Sequence, residues 1–329
     1  MNAELLATVF IVLMGIAVLV YAIADGYDLG TGILLPLDNE KHRDTMIASI
    51  GPFWDANETW LVLAVGLLLI AFPKAHSLVF YHLYIPATFM LAGLILRGVS
   101  FDFRAKTSVS QKPLWDKAFK FGSLLTSFCQ GYMLGRYVLG FAEGWQATSF
   151  AVLSGLGVTA AYGLIGAAWL IYKTEGELQQ KAKAWLTTLN RITFIGVIAV
   201  SLANLAVNPD VFSRWFEVPL AFLVVPIPAL CLASFAYLEW SVSQQKRNYR
   251  DITPLLAVML IFILCFCGLG FSFFPDIVPG QLTLWEAASA PESLQFLLVG
   301  ALIVVPTIGI YTGYSYWVFR GKATELSYE

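Results

Sequence analysis

Three short segments place ionisable side chains in otherwise apolar surroundings. Residues Asp25 to Gly32 read DGYDLGTG, Gly51 to Trp60 read GPFWDANETW, and Arg97 to Arg104 read RGVSFDFR. Asp25 and Asp28 stand three residues apart, as do Asp55 and Glu58, so each pair shares a face wherever the backbone is helical. Asn57, between the second pair, can donate and accept hydrogen bonds. A carboxyl beside an arginine is held ionised, whereas one further from positive charge keeps its proton more readily. Acids graded in distance from Arg97 and bridged by water therefore have the chemistry of a proton relay. Each segment also has a plainer reading. Asp25 and Asp28 can be solvated acids at a helix end, Asp55 a helix cap, and Asp102 with Arg97 and Arg104 a local ion pair.

The elements that must carry these residues are membrane spans. Of 329 residues, 58% are hydrophobic and 13% charged, against about 25% charged in an average soluble domain. A net charge of −2 gives no footprint for a nucleic-acid partner. Nine segments approach the roughly 20 apolar residues that cross a bilayer: 5–24, 51–72, 77–98, 118–140, 149–172, 188–207, 218–240, 254–274 and 293–318. The fold class expected is all-α and integral to the membrane, a single polytopic domain over residues 1–329. Spans 1–4 and 5–8 can form two four-helix bundles, with span 9 added at the edge. Lysine and arginine concentrate in the odd-numbered loops: Lys41 and Arg43, then Arg104 to Lys120, Lys173 to Arg191, and Lys246 to Arg250. By the positive-inside rule the amino terminus faces outward (periplasmic) and the carboxyl terminus the cytoplasm. All three acidic segments then gather at the cytoplasmic side. An acid at the centre of a span costs roughly 2.5–3.5 kcal/mol, so acids tolerated there carry a functional expectation.

Other reactive residue types carry less. Cys129, Cys231, Cys265 and Cys267 all fall within expected spans and read as packing residues; no metal site is expected. His42 lies in the first loop, while His76 and His82 flank the start of span 3, six residues apart and so on different helix faces. No histidine sits mid-span, and Met14, Met90, Met133 and Met259 read as packing, so the chain offers no convincing set of haem ligands. Trp115, Trp145, Trp215, Tyr249, Trp285 and Trp317 stand where interfacial belt residues belong.

Taken together, DGYDLGTG, GPFWDANETWLV, RGVSFDFRAK and LTLWEAAS (Leu282 to Ser289) resemble the signature segments of subunit II of the cytochrome bd family of quinol oxidases. They occur in that family's order and spacing from residue 25 to residue 289. Two positions depart from the pattern: Ala56 stands where many members have glycine, and Glu286 where aspartate is common.

The resemblance implies a bacterial inner-membrane subunit with no catalytic residue of its own. Its partner, subunit I, would carry haems b and d and the quinol site. The assembly would oxidise quinol at the outer face and reduce oxygen to water with cytoplasmic protons. A small single-span subunit and a structural quinone in this chain accompany some members; the sequence assigns no residues to that quinone. Asp28, Asp55 and Asp102 match family positions associated with the proton route along the subunit interface, and Asp25, Glu58 and Arg97 are their neighbours in sequence. Two competing readings remain at this point: a secondary transporter with an acidic cation site in the membrane, and a scaffold whose acids serve only ion pairs and caps.

Overall fold

The computed structural model describes residues 2–108, 110–217, 222, 224–243 and 250–323. Helix α1 (Ala3–Leu34) starts from Asn2, whose side chain accepts from the Glu4 amide at 3.2 Å. It runs well beyond the expected 5–24, through Asp25, Asp28 and three glycines, and stops just before Pro36. Burial of this whole lower stretch outweighs the poor intrinsic propensity of its glycines. The expected first loop contains a second helix, α2 (Glu40–Ile50), capped by Asn39 onto the His42 amide at 3.0 Å and burying Met46, Ile47 and Ile50.

Helix α3 (Trp54–Ala71) breaks at Phe72, because Pro73 disfavours helical backbone before it and opens α4 (Pro73–Lys106). Helix α4 extends past the expected 77–98, so Arg97 lies inside a helix and not at its end. Then follow α5 (Lys112–Val138), α6 (Trp145–Lys173), α7 (Gly176–Val207), the short α8 (Pro209–Phe216), α9 (Pro226–Ser243) and α10 (Thr253–Phe273). A small antiparallel hairpin, β1 (Asp276–Val278) with β2 (Leu282–Thr283), interrupts the otherwise helical fold. It leads into α11 (Leu284–Ala287) and the long α12 (Pro291–Val318).

Among the described residues seven helices are long and apolar enough to cross a membrane: α1, α3, α4, α6, α7, α10 and α12. Two expected spans are absent from that set. Helix α5 is diluted by Lys117, Lys120, Gln130 and Arg136 and by a buried polar face of Ser123, Thr126 and Ser127. Helix α9 is 18 residues long and includes Pro226, Pro228 and Glu239. Residues 218–221 and 223 of that expected span, and Lys246, Arg247 and Tyr249 in the loop after it, lie outside the described residues. The chain is thus an all-α, multi-pass membrane fold with one small hairpin.

Helix α1 packs against α3, α5 and α6, and α4 packs along α5. Two crossings are made by glycine against glycine, as small residues permit when membrane helices approach closely. A Cβ on Gly30 would meet the Tyr162 carbonyl oxygen at 1.9 Å and the Gly166 Cα at 2.9 Å. A Cβ on Gly122 would meet the Gly93 carbonyl oxygen at 2.7 Å and the Arg97 amide nitrogen at 3.1 Å. These contacts bring α4, α5 and α6 close enough to α1 to enclose its acids.

Candidate functional site: a buried carboxylate cluster

Arg97 reaches from α4 towards α1 and α3. Its Nη2 donates to Asp25 Oδ1 at 2.6 Å and to Glu58 Oε1 at 2.5 Å. Arg97 and Asp25 are closed to solvent, whereas the Glu58 side chain keeps 26% of its surface exposed. Asp25 Oδ2 and Arg97 Nη1 are buried with no protein partner among the described residues. Glu58 is therefore where this ion cluster meets the outside of the chain.

One turn further along α1, Asp28 is fully buried and belongs to a different set of bonds. Asn57 Nδ2 donates to Asp28 Oδ2 and to the Tyr27 hydroxyl, each at 2.8 Å, with a longer 3.3 Å approach to the Ala24 carbonyl. The Tyr27 and Tyr316 hydroxyls lie 2.5 Å apart, and Tyr316 donates to Asn57 Oδ1 at 3.1 Å. An amide nitrogen has two protons. Given to Asp28 and Tyr27, they leave the Tyr27 proton for Tyr316, and the bonds close into a ring through Asn57, Tyr27 and Tyr316. Aromatic stacking holds that ring: Tyr27 lies 3.9 Å from Trp169 and Tyr316 4.7 Å from Phe53, centroid to centroid. Asp28 Oδ1 has no protein partner among the described residues.

A third group of bonds lies on the α5 and α6 side of Asp25. Tyr162 donates to Gln130 Oε1 at 2.6 Å, and Gln130 Nε2 donates to the Tyr21 hydroxyl at 2.6 Å. Tyr21 precedes Asp25 by four residues, one turn along the same helix face.

Of the six residues that sequence reasoning singled out, the structure brings Asp25, Asp28, Glu58 and Arg97 together and leaves Asp55 and Asp102 apart. Asp55 and Asp102 are exposed on the surface of the chain. The ion pair expected within the third segment is not formed by Asp102. Arg104 turns instead to Asp116 on α5 and Asp44 on α2, at 2.5 Å each. Arg43 Nε adds a 2.8 Å ion pair to Asp116 whose angle falls short of a hydrogen bond. Arg43, Arg104 and Asp116 are buried, and this second ion network ties the ends of α4 and α5 to α2.

Sequence reasoning passed over Tyr21, Tyr27, Gln130, Tyr162, Trp169 and Tyr316 as members of these networks. Tyr27 sits inside the first segment and could have been counted; the others are distant in sequence and ordinary in type. Among the described residues, no group of three or more His, Cys, Asp or Glu could hold a metal ion. His42 lies on α2, His76 stacks on Phe80, and His82 stacks on Phe141. At the far end of the fold Glu286 closes a capping box, with Thr283 N and Oγ1 at 3.0 and 2.7 Å from Glu286 Oε2. Those hydrogen bonds hold its carboxyl below the usual range.

Comparison with known proteins identifies the family and the fold. The family model described as cytochrome bd terminal oxidase subunit II matches residues 6–319. The cytochrome bd ubiquinol oxidase subunit 2 of Bacillus subtilis (strain 168) is 27% identical, with 91% of each chain covered. The cytochrome bd-I ubiquinol oxidase subunit 2 of Escherichia coli (strain K12) is 26% identical, over 99% of this chain and 97% of that one. In fold, the chain matches a chain of the bd oxidase from Geobacillus thermodenitrificans with a TM-score of 0.75 at 18% identity, covering 93% of this chain and 97% of the other.

Proposed function

Because this chain belongs to the cytochrome bd terminal oxidase subunit II family, a multi-pass subunit of a bacterial inner-membrane quinol oxidase, we propose that its own contribution to oxygen reduction is a segment of the proton entry path. The observation that carries this reading is the pairing of buried Asp25 and half-open Glu58 with the single guanidinium of Arg97, with buried Asp28 one turn along α1. Three carboxyls against one cation would leave two uncompensated charges if all were ionised. Each uncompensated ion out of water costs several kcal/mol, so the cluster holds protons that it can pass on. Glu58 is the entrance, and Asp55, one turn earlier on α3, is the exposed acid that feeds it. Asp102 extends the same acidic surface from α4. The transporter reading falls with the family assignment.

In this reading the chain crosses the bilayer nine times as one domain. The spans are α1, α3, α4 and α5 as one bundle, α6, α7, α9 and α10 as the other, and α12 at the edge. The amino terminus faces the periplasm and the end bearing the acid cluster faces the cytoplasm. Haems b and d, which supply electron transfer and oxygen chemistry, belong to a partner subunit I that lies against the Asp55 and Asp102 surface. The three histidines here, one on α2 and two on α4 six residues apart and each stacked on an aromatic ring, offer no facing pair of haem ligands, which supports that division. Quinol is the substrate of the assembly. A single-span subunit and a structural quinone are further family expectations without assigned residues in this chain.

The test is Asp55→Asn in the assembled oxidase, checked for retained haem spectrum and co-purification of both large subunits. Oxygen consumption with excess quinol should fall several-fold, and Glu58→Gln should fall at least as far. Unchanged oxygen consumption in both variants, with assembly intact, rejects the proton-path assignment while leaving family membership untouched.

A further inference from the structure

At the end of the fold opposite the carboxylate cluster, a cavity of about 520 Å³ opens between α4, α5 and the start of α6. That is within the roughly 300–1,000 Å³ of small-molecule sites. Its lining is graded along the helix axes. Ile85, Pro86, Phe89 and Phe128, further from the helix ends, make an apolar floor, and Ile85 and Phe89 remain more than half exposed. His82, Arg136, Glu143 and Thr148 line it nearer the helix ends. An apolar trough leading to a polar rim at the level of helix termini is the shape of an amphiphile lying along a membrane protein.

The charges on the rim narrow the chemistry. Arg136 and Glu143 line one cavity, yet they form no ion pair with each other. Arg136 makes only a long hydrogen bond, 3.4 Å to the Phe141 carbonyl, and Glu143 has no partner among the described residues. The turn between them is fixed, with Phe141 N bonding the Arg136 carbonyl at 2.9 Å and the Phe141 ring stacked on His82 at 4.7 Å, while the Glu143 side chain stands exposed two residues on. Two opposite charges that share one rim without pairing complement a ligand that itself carries both signs. We propose that this cavity binds a phospholipid with a primary-amine zwitterionic headgroup, of the phosphatidylethanolamine type. Its phosphate is held by Arg136 with His82, its ammonium by Glu143, and one acyl chain lies over Ile85, Pro86 and Phe89. A guanidinium matches phosphate through paired donors, and an ammonium matches a single carboxylate. A phosphatidylglycerol headgroup, with its phosphate on Arg136, would set neutral glycerol hydroxyls against Glu143 and leave that carboxylate without a counter-charge.

The experiment is native mass spectrometry and lipid extraction of the purified oxidase complex after exchange into nanodiscs of equal phosphatidylethanolamine and phosphatidylglycerol. The wild-type complex should retain phosphatidylethanolamine stoichiometrically. Arg136→Gln should reduce that retention about tenfold, the scale of one charge-assisted hydrogen bond lost. Glu143→Gln, at an exposed position that should not disturb folding, should invert the preference towards phosphatidylglycerol. Phe89→Trp, which fills the trough, should lower retention of both lipids. Equal retention of the two lipids by wild type, or an unchanged lipid ratio in Glu143→Gln, overturns the proposal. So does recovery of a neutral quinone from the cavity in place of lipid.

Discussion

Replacing Arg97 tests whether the carboxylate cluster is one electrostatic unit. Arg97→Gln removes the guanidinium that holds Asp25 at 2.6 Å and Glu58 at 2.5 Å. Removing one partner of a buried ion pair costs about 3–5 kcal/mol, because the other charge is left uncompensated. Asp25, with no exposed surface, should account for most of this; the Glu58 share is discounted because water reaches that side chain. Asp25→Asn leaves Arg97 with Glu58 and should cost about 3 kcal/mol. The double variant leaves two neutral amides that can bond each other, so its loss should fall short of the sum by about 2 kcal/mol or more. Unfolding of the purified oxidase in dodecyl sulfate titrations, followed by tryptophan fluorescence, measures these losses. The haem spectrum reports whether the partner is still attached. Additivity within about 0.5 kcal/mol would refute the view that Arg97 and Asp25 form one unit.

Asn57→Leu strips Asp28 and both tyrosine hydroxyls of a partner at once and should destabilise by about 2–3 kcal/mol, more than the about 1 kcal/mol of Tyr316→Phe, since stranded buried acceptors cost more than one lost hydrogen bond; a thermal-shift series on the complex gives the order. Gly166→Val should abolish assembly, because its Cβ would sit 2.4 Å from the Gly30 carbonyl carbon, whereas Gly157→Ala, with open space around it, should stabilise by about 0.5–1 kcal/mol; equal membrane yields for the two would contradict the close α1–α6 crossing. His42 has its pKa lowered, first by burial and then by the charge of Lys181, whose Nζ lies 3.5 Å from His42 Nδ1. The folded chain thus binds the proton less readily than the unfolded one, so stability is full above the unfolded value near 6.5 and declines as pH falls below it. The apparent melting temperature should drop between about pH 7 and pH 5, and His42→Gln should flatten that slope, which differential scanning calorimetry would show.

Much of this was legible in the sequence because burying a charge in a bilayer is costly. Asp25, Asp28, Glu58 and Arg97 stood out against their apolar context, and helical spacing placed each acidic pair on one face. What the sequence could not show was how far the helices continue. The expected first span ends at residue 24, but α1 runs to Leu34, because glycines that weaken an isolated helix are what allow α6 to pack against this one. Nor could spacing reveal Tyr316, 259 residues from the Asn57 that it bonds, or the exchange by which Arg104 leaves Asp102 for Asp116. An aspartate at the start of a lysine-rich helix reads as solvated, and only the approach of α2 encloses it.

The exposure of Asp55 and Asp102 bears on function more than their chemistry alone does. An acid that completed the internal cluster would have to be buried with it, as Asp25 and Asp28 are. These two instead stand on the outer surfaces of α3 and α4, beside Trp54 and Phe101, whose rings pack 5.2 Å apart. Two carboxyls on an aromatic surface, next to a half-open Glu58 that leads to a closed Arg97, form a sequence from exposed to buried across one end of the bundle. Such a gradient has a direction. In the proposed reading, protons arriving from water would meet the exposed acids first and the guanidinium of Arg97 last, where its fixed charge opposes further passage into this chain. The route within this chain, so read, ends at a fixed cation, and the consumer of the protons is assigned to the subunit that covers the Asp55 and Asp102 surface.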